Sequence, residues 1–239
     1  MKKQPYWHFC HGDKDGIARL GYGDNRQVKV GETLTVAGEP GLCEHGLHAS
    51  IDLWDALVYA PEHAHGFGWS LCRVELSGEV VHGDEKSVAS ARKVIAMLNT
   101  GATDKLLRDY ARWCALQVIH LWDAPSIVRQ YLETGDASIR DAAWTAADAA
   151  ARAAARAERI SFRGAVVITK AYWEAASAAA RAAANAVATD AAMGAASAAT
   201  DVAARGADWI VATEAAWAEY AEELERRAIA AMGQEQAHE

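Results

Sequence analysis

Seven of the nine histidines, His8, His11, His45, His48, His63, His65 and His82, lie before residue 100, so imidazole chemistry comes first. Cys43, His45 and His48 form a C-x-H-x-x-H run of the donor types that zinc takes, with Cys72 or Cys10 as a distant fourth ligand. That spacing matches no familiar zinc module, and turn or core histidines explain it more simply. The expectation is no metal; if one binds, Cys43, His45 and His48 hold it. Cys10 precedes His11, but a nucleophilic cysteine needs its base beside it in space. Neighbours in a strand point to opposite faces, so this pair makes no dyad. Gly21-Tyr22-Gly23-Asp24 lacks the lysine and the strand–loop–helix setting of a phosphate loop and reads as a hairpin turn. No complete catalytic set emerges.

The elements that would position these residues fall into two kinds. Before about residue 100, glycine, histidine and β-branched residues are frequent; after about residue 136, alanine dominates. The stretch Asn99-Thr100-Gly101-Ala102-Thr103 marks the change, with Thr103 as the expected N-cap of the next helix. The head reads as short strands with one or two helices. Gln27–Val30 and Thr33–Val36 alternate, and Gly46–Ser50 is a strand leading into a helix capped by Ser50 or Asp52. Leu53, Ala56, Leu57 and Ala60 share one face of that helix, which Pro61 stops. Ser70–Ser77 sets Leu71, Arg73, Glu75 and Ser77 against Cys72, Val74 and Leu76, and Gly78 turns the chain into Glu79-Val80-Val81. Ser87–Leu98 fits a strand or a short helix equally.

The second half is helical. Leu106, Leu107, Tyr110, Trp113, Cys114 and Val118 recur at helical spacing from Asp104 to Leu121. Pro125 opens a short helix through Leu132 that Gly135 ends. Three alanine-rich stretches follow, over Asp141–Ile160, Ala165–Ala192 and Ala195–Met232, with a break at Gly206. Trp144, Trp173 and Trp209 sit in similar settings at uneven intervals, which predicts degenerate helical repeats. The fold expected is an α+β head over residues 1–100, then an all-α, alanine-rich domain of stacked antiparallel helices over 101–233. Residues 234–239 are expected to fray.

Composition narrows the function. A formal net charge of −8 over 239 residues argues against direct nucleic-acid binding, which needs clustered Lys and Arg. Glu214, Glu219, Glu222, Glu223 and Glu225 form an acidic run, read most simply as a solvated helix face. The four cysteines are widely spaced, no signal-peptide core leads the chain, and no apolar run is long enough for a membrane span. A cytoplasmic protein with free thiols and no membrane partner is expected.

Two resemblances add to this. Val30-Gly31-Glu32, Leu42 to Ser50, Asp55 to Tyr59, Cys72 to Val80 and Asp84 to Ala89 resemble, in order and spacing, an uncharacterised N-terminal module of phage and prophage proteins. That module precedes repetitive C-terminal segments, as here. The resemblance implies a phage-type protein that binds a host protein, for example to inhibit a host defence system, without a cofactor. Separately, His11-Gly12, Gly46 to Ser50, Ala56 to Tyr59 and Val74 to Gly78 are similar in order to motifs of the ADP-ribosyltransferase fold. That resemblance implies an NAD-dependent transferase or an inactive derivative. His11, Gly12, His48 and Tyr59 would then bind NAD, and His11, His48 and Glu75 would be the catalytic positions, with Glu79 the other candidate glutamate. A third expectation is self-association, as a homodimer, through Trp144, Trp173 or Trp217.

Overall fold

The computed structural model describes residues 5–20, 25–60, 68–158, 177–185, 188–204 and 209–236. The expected turn at Gly21–Asp24, Pro61, His63, His65, Trp173 and Gly206 lie outside them. The chain is α+β: a curled antiparallel sheet comes first and helices follow. It forms two compact units, one of residues Met1–Leu106 with Glu223–Glu239, the other of Leu107–Glu222. The sequence reading instead divides the chain near residue 100 and assigns everything to 233 to the helical part. Among the described residues no helix is long and apolar enough to cross a membrane.

Among the described residues the N-terminal unit holds six strands, β1 (Tyr6–Gly12), β2 (Ala18–Arg19), β3 (Thr33–Thr35), β4 (Leu47–Ala49), β5 (Trp69–His82) and β6 (Ser87–Leu98), with helix α1 (Leu53–Val58) after β4. The sheet order is β2-β1-β5-β6-β3, and β4 pairs with β6. Alternation places Tyr6 and Cys10 of β1 with Cys72 and Val74 of β5 and Val94 of β6 in one core, joined by Leu34, Leu47 and Ala49. Ser87–Leu98 is therefore a strand. Its partners are extended on both sides, and that pairing outweighs the local helix–strand ambiguity.

Several local expectations are corrected. Gln27–Val30 is no strand; only a bridge from Gln27 to Arg19 forms there. Gly78 does not end a strand but sits inside β5 at φ 76°, where the register with β6 shifts between Ser77 and Val80. It is a β-bulge, which takes glycine because φ is positive and because a Cβ there would run into Ser90 Oγ. Asp52 holds the N-cap position of α1 without a side-chain cap bond, and Ala60 lies beyond the helix. Helix α2 (Thr100–Val118) starts four residues earlier than expected, because Asn99 Oδ1 accepts the Ala102 N–H at 2.9 Å and caps it. Thr103 works differently: its hydroxyl accepts the Leu71 N–H at 3.1 Å and donates to Leu98 O at 3.2 Å.

The second unit contains the rest of α2, α3 (Ser126–Thr134), α4 (Arg140–Glu158), a helical stretch over 177–183, α5 (Ala188–Ala204) and the first part of α6 (Trp209–Gln236). Ala184 and Asn185 end the 177–183 stretch in a turn, and α5 runs through residues 193–195, so the alanine-rich segments divide elsewhere than the sequence suggests. Alanine supplies small buried faces, among them Ala143, Ala147, Ala179, Ala180 and Ala183. Tyrosines tie the layers: Tyr131 Oη donates to Ala183 O at 3.1 Å, and Tyr110 Oη to Tyr220 O at 2.9 Å. Gly135, left-handed at φ 68°, ends α3, and Arg112 beside it donates to Leu132 O at 3.0 Å. Helix α6 stays regular through Gln236, into the 234–239 stretch expected to fray.

Candidate functional site

The curl of the N-terminal sheet leaves a cavity of about 740 Å³. It brings together residues from β1, the turn at 41–46, β4, the end of α1 and β6. His11, His48 and Tyr59, far apart in sequence, all line it, as do His8, Cys43 and His45. Gly12 and Glu75 do not. Glu75 stands opposite Lys93 across β5 and β6, and Glu79 is exposed beside the bulge.

Each imidazole has a defined setting. His45 Nε2 donates to Ala37 O at 2.6 Å, and His48 Nε2 accepts the Cys43 N–H at 3.2 Å. Those contacts occupy Nε2 of both rings. Among the described residues no three His, Cys, Asp or Glu side chains are placed to hold a metal ion. His11 packs against Trp69, ring centroids 4.5 Å apart. Tyr59 donates to Glu85 at 2.5 Å, which raises its pKa, and Lys86 lies 3.9 Å over its ring.

Two-residue alternation in β1 pairs Cys10 with His8 and not with His11. Cys10 Sγ lies 3.6 Å from Cys72 Sγ. The Cys72 thiol donates to Cys10, holding the Cys10 pKa well below its ordinary value, with His8 and Arg92 acting in the same direction; Cys72 is pushed well above. Both sulfurs are buried and form no disulfide. Burial, and then Arg92, lowers the His8 pKa from 6.5; burial, and then Lys86, lowers that of His48.

The residue that the sequence reading missed is Arg92. It lines the cavity, is only 1% exposed, and donates from Nη1 to His48 O at 2.6 Å. Burial lowers its pKa, and no carboxylate among the described residues pairs with it. A signal did exist. Val88, Arg92 and Val94 are buried at even positions of β6 while Lys93 is exposed, so a charge sits at core parity. It becomes visible only once the segment is known to be a strand. Arg26 and Lys86 also line the cavity, against one acid, Glu44. An acidic protein thus holds a locally basic hollow.

Trp7, which also lines the cavity, donates from Nε1 to Glu225 at 3.1 Å, and Arg73 lies 3.9 Å over its ring. Part of the acidic run is therefore used internally: Glu225 takes Trp7 and Arg73, and Glu223 pairs with Arg226 and Arg227.

Residues 16–105 match a family described as a domain of unknown function (DUF7666), over less than half of the chain. The match spans β2 to β6, the cavity's turn and Arg92 included, and leaves β1 outside. No curated protein matches the chain, and no solved structure does.

Proposed function

We propose that the protein acts by binding, and that its N-terminal unit is a module for a small molecule taken into the cavity of the curled sheet. One observation carries this: residues from β1, the 43–50 run, the end of α1 and β6 converge on a hollow rich in imidazoles and aromatic rings. The phage-type module and the alanine-rich helical repeats expected from the sequence extend the reading. The ligand would be read in the head, and a host protein, such as a defence factor, would be the partner. Trp144, 44% exposed, is an aromatic that a partner or a second copy of the chain would cover.

A second reading is NAD binding on an ADP-ribosyltransferase-like head. Its specific support is that His11, His48 and Tyr59 line the same cavity. Glu75, its expected catalytic glutamate, does not, so binding without transfer is the form we favour.

Thermal unfolding with and without millimolar NAD tests both. Stabilisation lost in His11→Ala and His48→Ala supports the nucleotide reading, because a ligand bound only to the folded state raises Tm. No shift removes NAD. A panel of small metabolites that also leaves Tm unchanged removes the small-molecule reading itself.

A further inference from the structure

Arg92 is costly where it stands. Removing a guanidinium from water carries a penalty that a buried acid normally offsets, and no carboxylate among the described residues does so here. Its one hydrogen bond among the described residues, Nη1 to His48 O, leaves Nε and Nη2 buried with no acceptor there. These two atoms are not a random remainder. Nε–H and Nη2–H lie on the same edge of the planar guanidinium and point in parallel, the edge that grips two oxygens of one oxyanion. That edge belongs to a side chain lining a cavity whose other charged members are Arg26, Lys86 and Glu44. His8 and His48, beside it, are neutral near pH 7 and can each take a proton if an anion enters.

We infer that Arg92 is the anchor of an oxyanion-binding site, and that the cavity's ligand carries a carboxylate or phosphate group held by the Nε–Nη2 edge. The inference rests on the small-molecule reading above and names the group that is recognised. The internal rival is that Cys10, as thiolate, neutralises Arg92.

The test is thermal unfolding of the full chain in inorganic phosphate, and separately in acetate, at constant ionic strength set with chloride. The expected result is a saturable rise in Tm of about 4–8 °C with at least one of the two. Phosphate alone identifies a phosphate ligand, and acetate alone a carboxylate. Arg92→Met replaces the charge with an apolar chain of similar length; it should keep or raise the basal Tm and abolish the anion response. Arg92→Lys keeps the charge without the fork and should weaken anion affinity about tenfold or more. Should Arg92→Met fail to fold, the Arg92 Nε–H signal of the wild type, followed by NMR, must shift saturably with the same anion. The inference falls if neither anion acts, or if the response survives in Arg92→Met. If neither anion acts while a neutral metabolite raises Tm, the cavity reading stands and only the oxyanion anchor is lost. A drop in Tm for Cys10→Ser with no anion response favours the thiolate rival.

Discussion

At the residue scale the N-terminal unit carries its ionisable groups in unusual states, and the clearest consequence concerns pH. The His8 and His48 pKa values are lowered from 6.5, chiefly by burial. Below pH 6.5 the unfolded chain therefore binds protons that the folded chain refuses. Stability is flat above that value and falls as pH drops below it, by at most about 1.4 kcal/mol per pH unit for each histidine. Urea unfolding at pH 7.5, 6.5 and 5.5 should show this fall, and His48→Asn should flatten it. A slope unchanged in His48→Asn would assign the effect to other groups. Anion affinity should move the opposite way, since a protonated His48 adds positive charge beside Arg92.

At the scale of elements, the helices and the strands β3, β4 and β5 were legible in the sequence, whereas β1 and β2 were not, β6 stayed open between strand and helix, and most ends were missed. The alternation in Ser70–Ser77 set Cys72 and Val74 on one side of the strand, and both lie in the core. The role of Gly78 was hidden, because a turn and a bulge ask the same positive φ of a glycine, and only the partner strand separates them. The start of α2 was hidden for a related reason. Asn99 and Thr103 are both cap residues by type, and what separates them is the sheet edge that Thr103 meets. His11, His48 and Tyr59 could be named in advance, yet Arg92 could not, because its burial depends on the pairing of β6. The two cap candidates also differ in energy. Asn99→Ala removes an exposed cap and should cost about 1 kcal/mol. Thr103→Val, nearly isosteric, strands the buried Leu71 N–H and should cost about 1–3 kcal/mol. Urea midpoints of the two variants should rank in that order, and the reverse order would mean that the Thr103 bridge is not formed in solution.

At the scale of the whole molecule, the N-terminal unit is discontinuous, drawing on residues 1–106 and on 223–239. Trp7 and Glu225 meet although 218 positions separate them, so this unit completes its bonding only after nearly the whole chain is made. Glu225 serves two donors there, the buried Trp7 indole and Arg73, whose guanidinium also covers the indole ring. Each donor loses its acceptor if the carboxylate is removed, and Trp7, fully buried, has no water to replace it. Glu225→Ala should therefore destabilise the chain by about 1–3 kcal/mol. Glu225→Gln keeps an oxygen for Trp7 while losing the charge opposite Arg73, so it should cost less. Salt separates the two parts: the Arg73 contribution weakens at high ionic strength, whereas the indole hydrogen bond persists. If Glu225→Ala shifts the urea midpoint no more than a surface substitution such as Glu222→Ala, the terminal segment adds little to the fold of the N-terminal unit. A clear gap between the two makes the last turns of α6 a structural part of the N-terminal unit, and truncation there would then destabilise that unit.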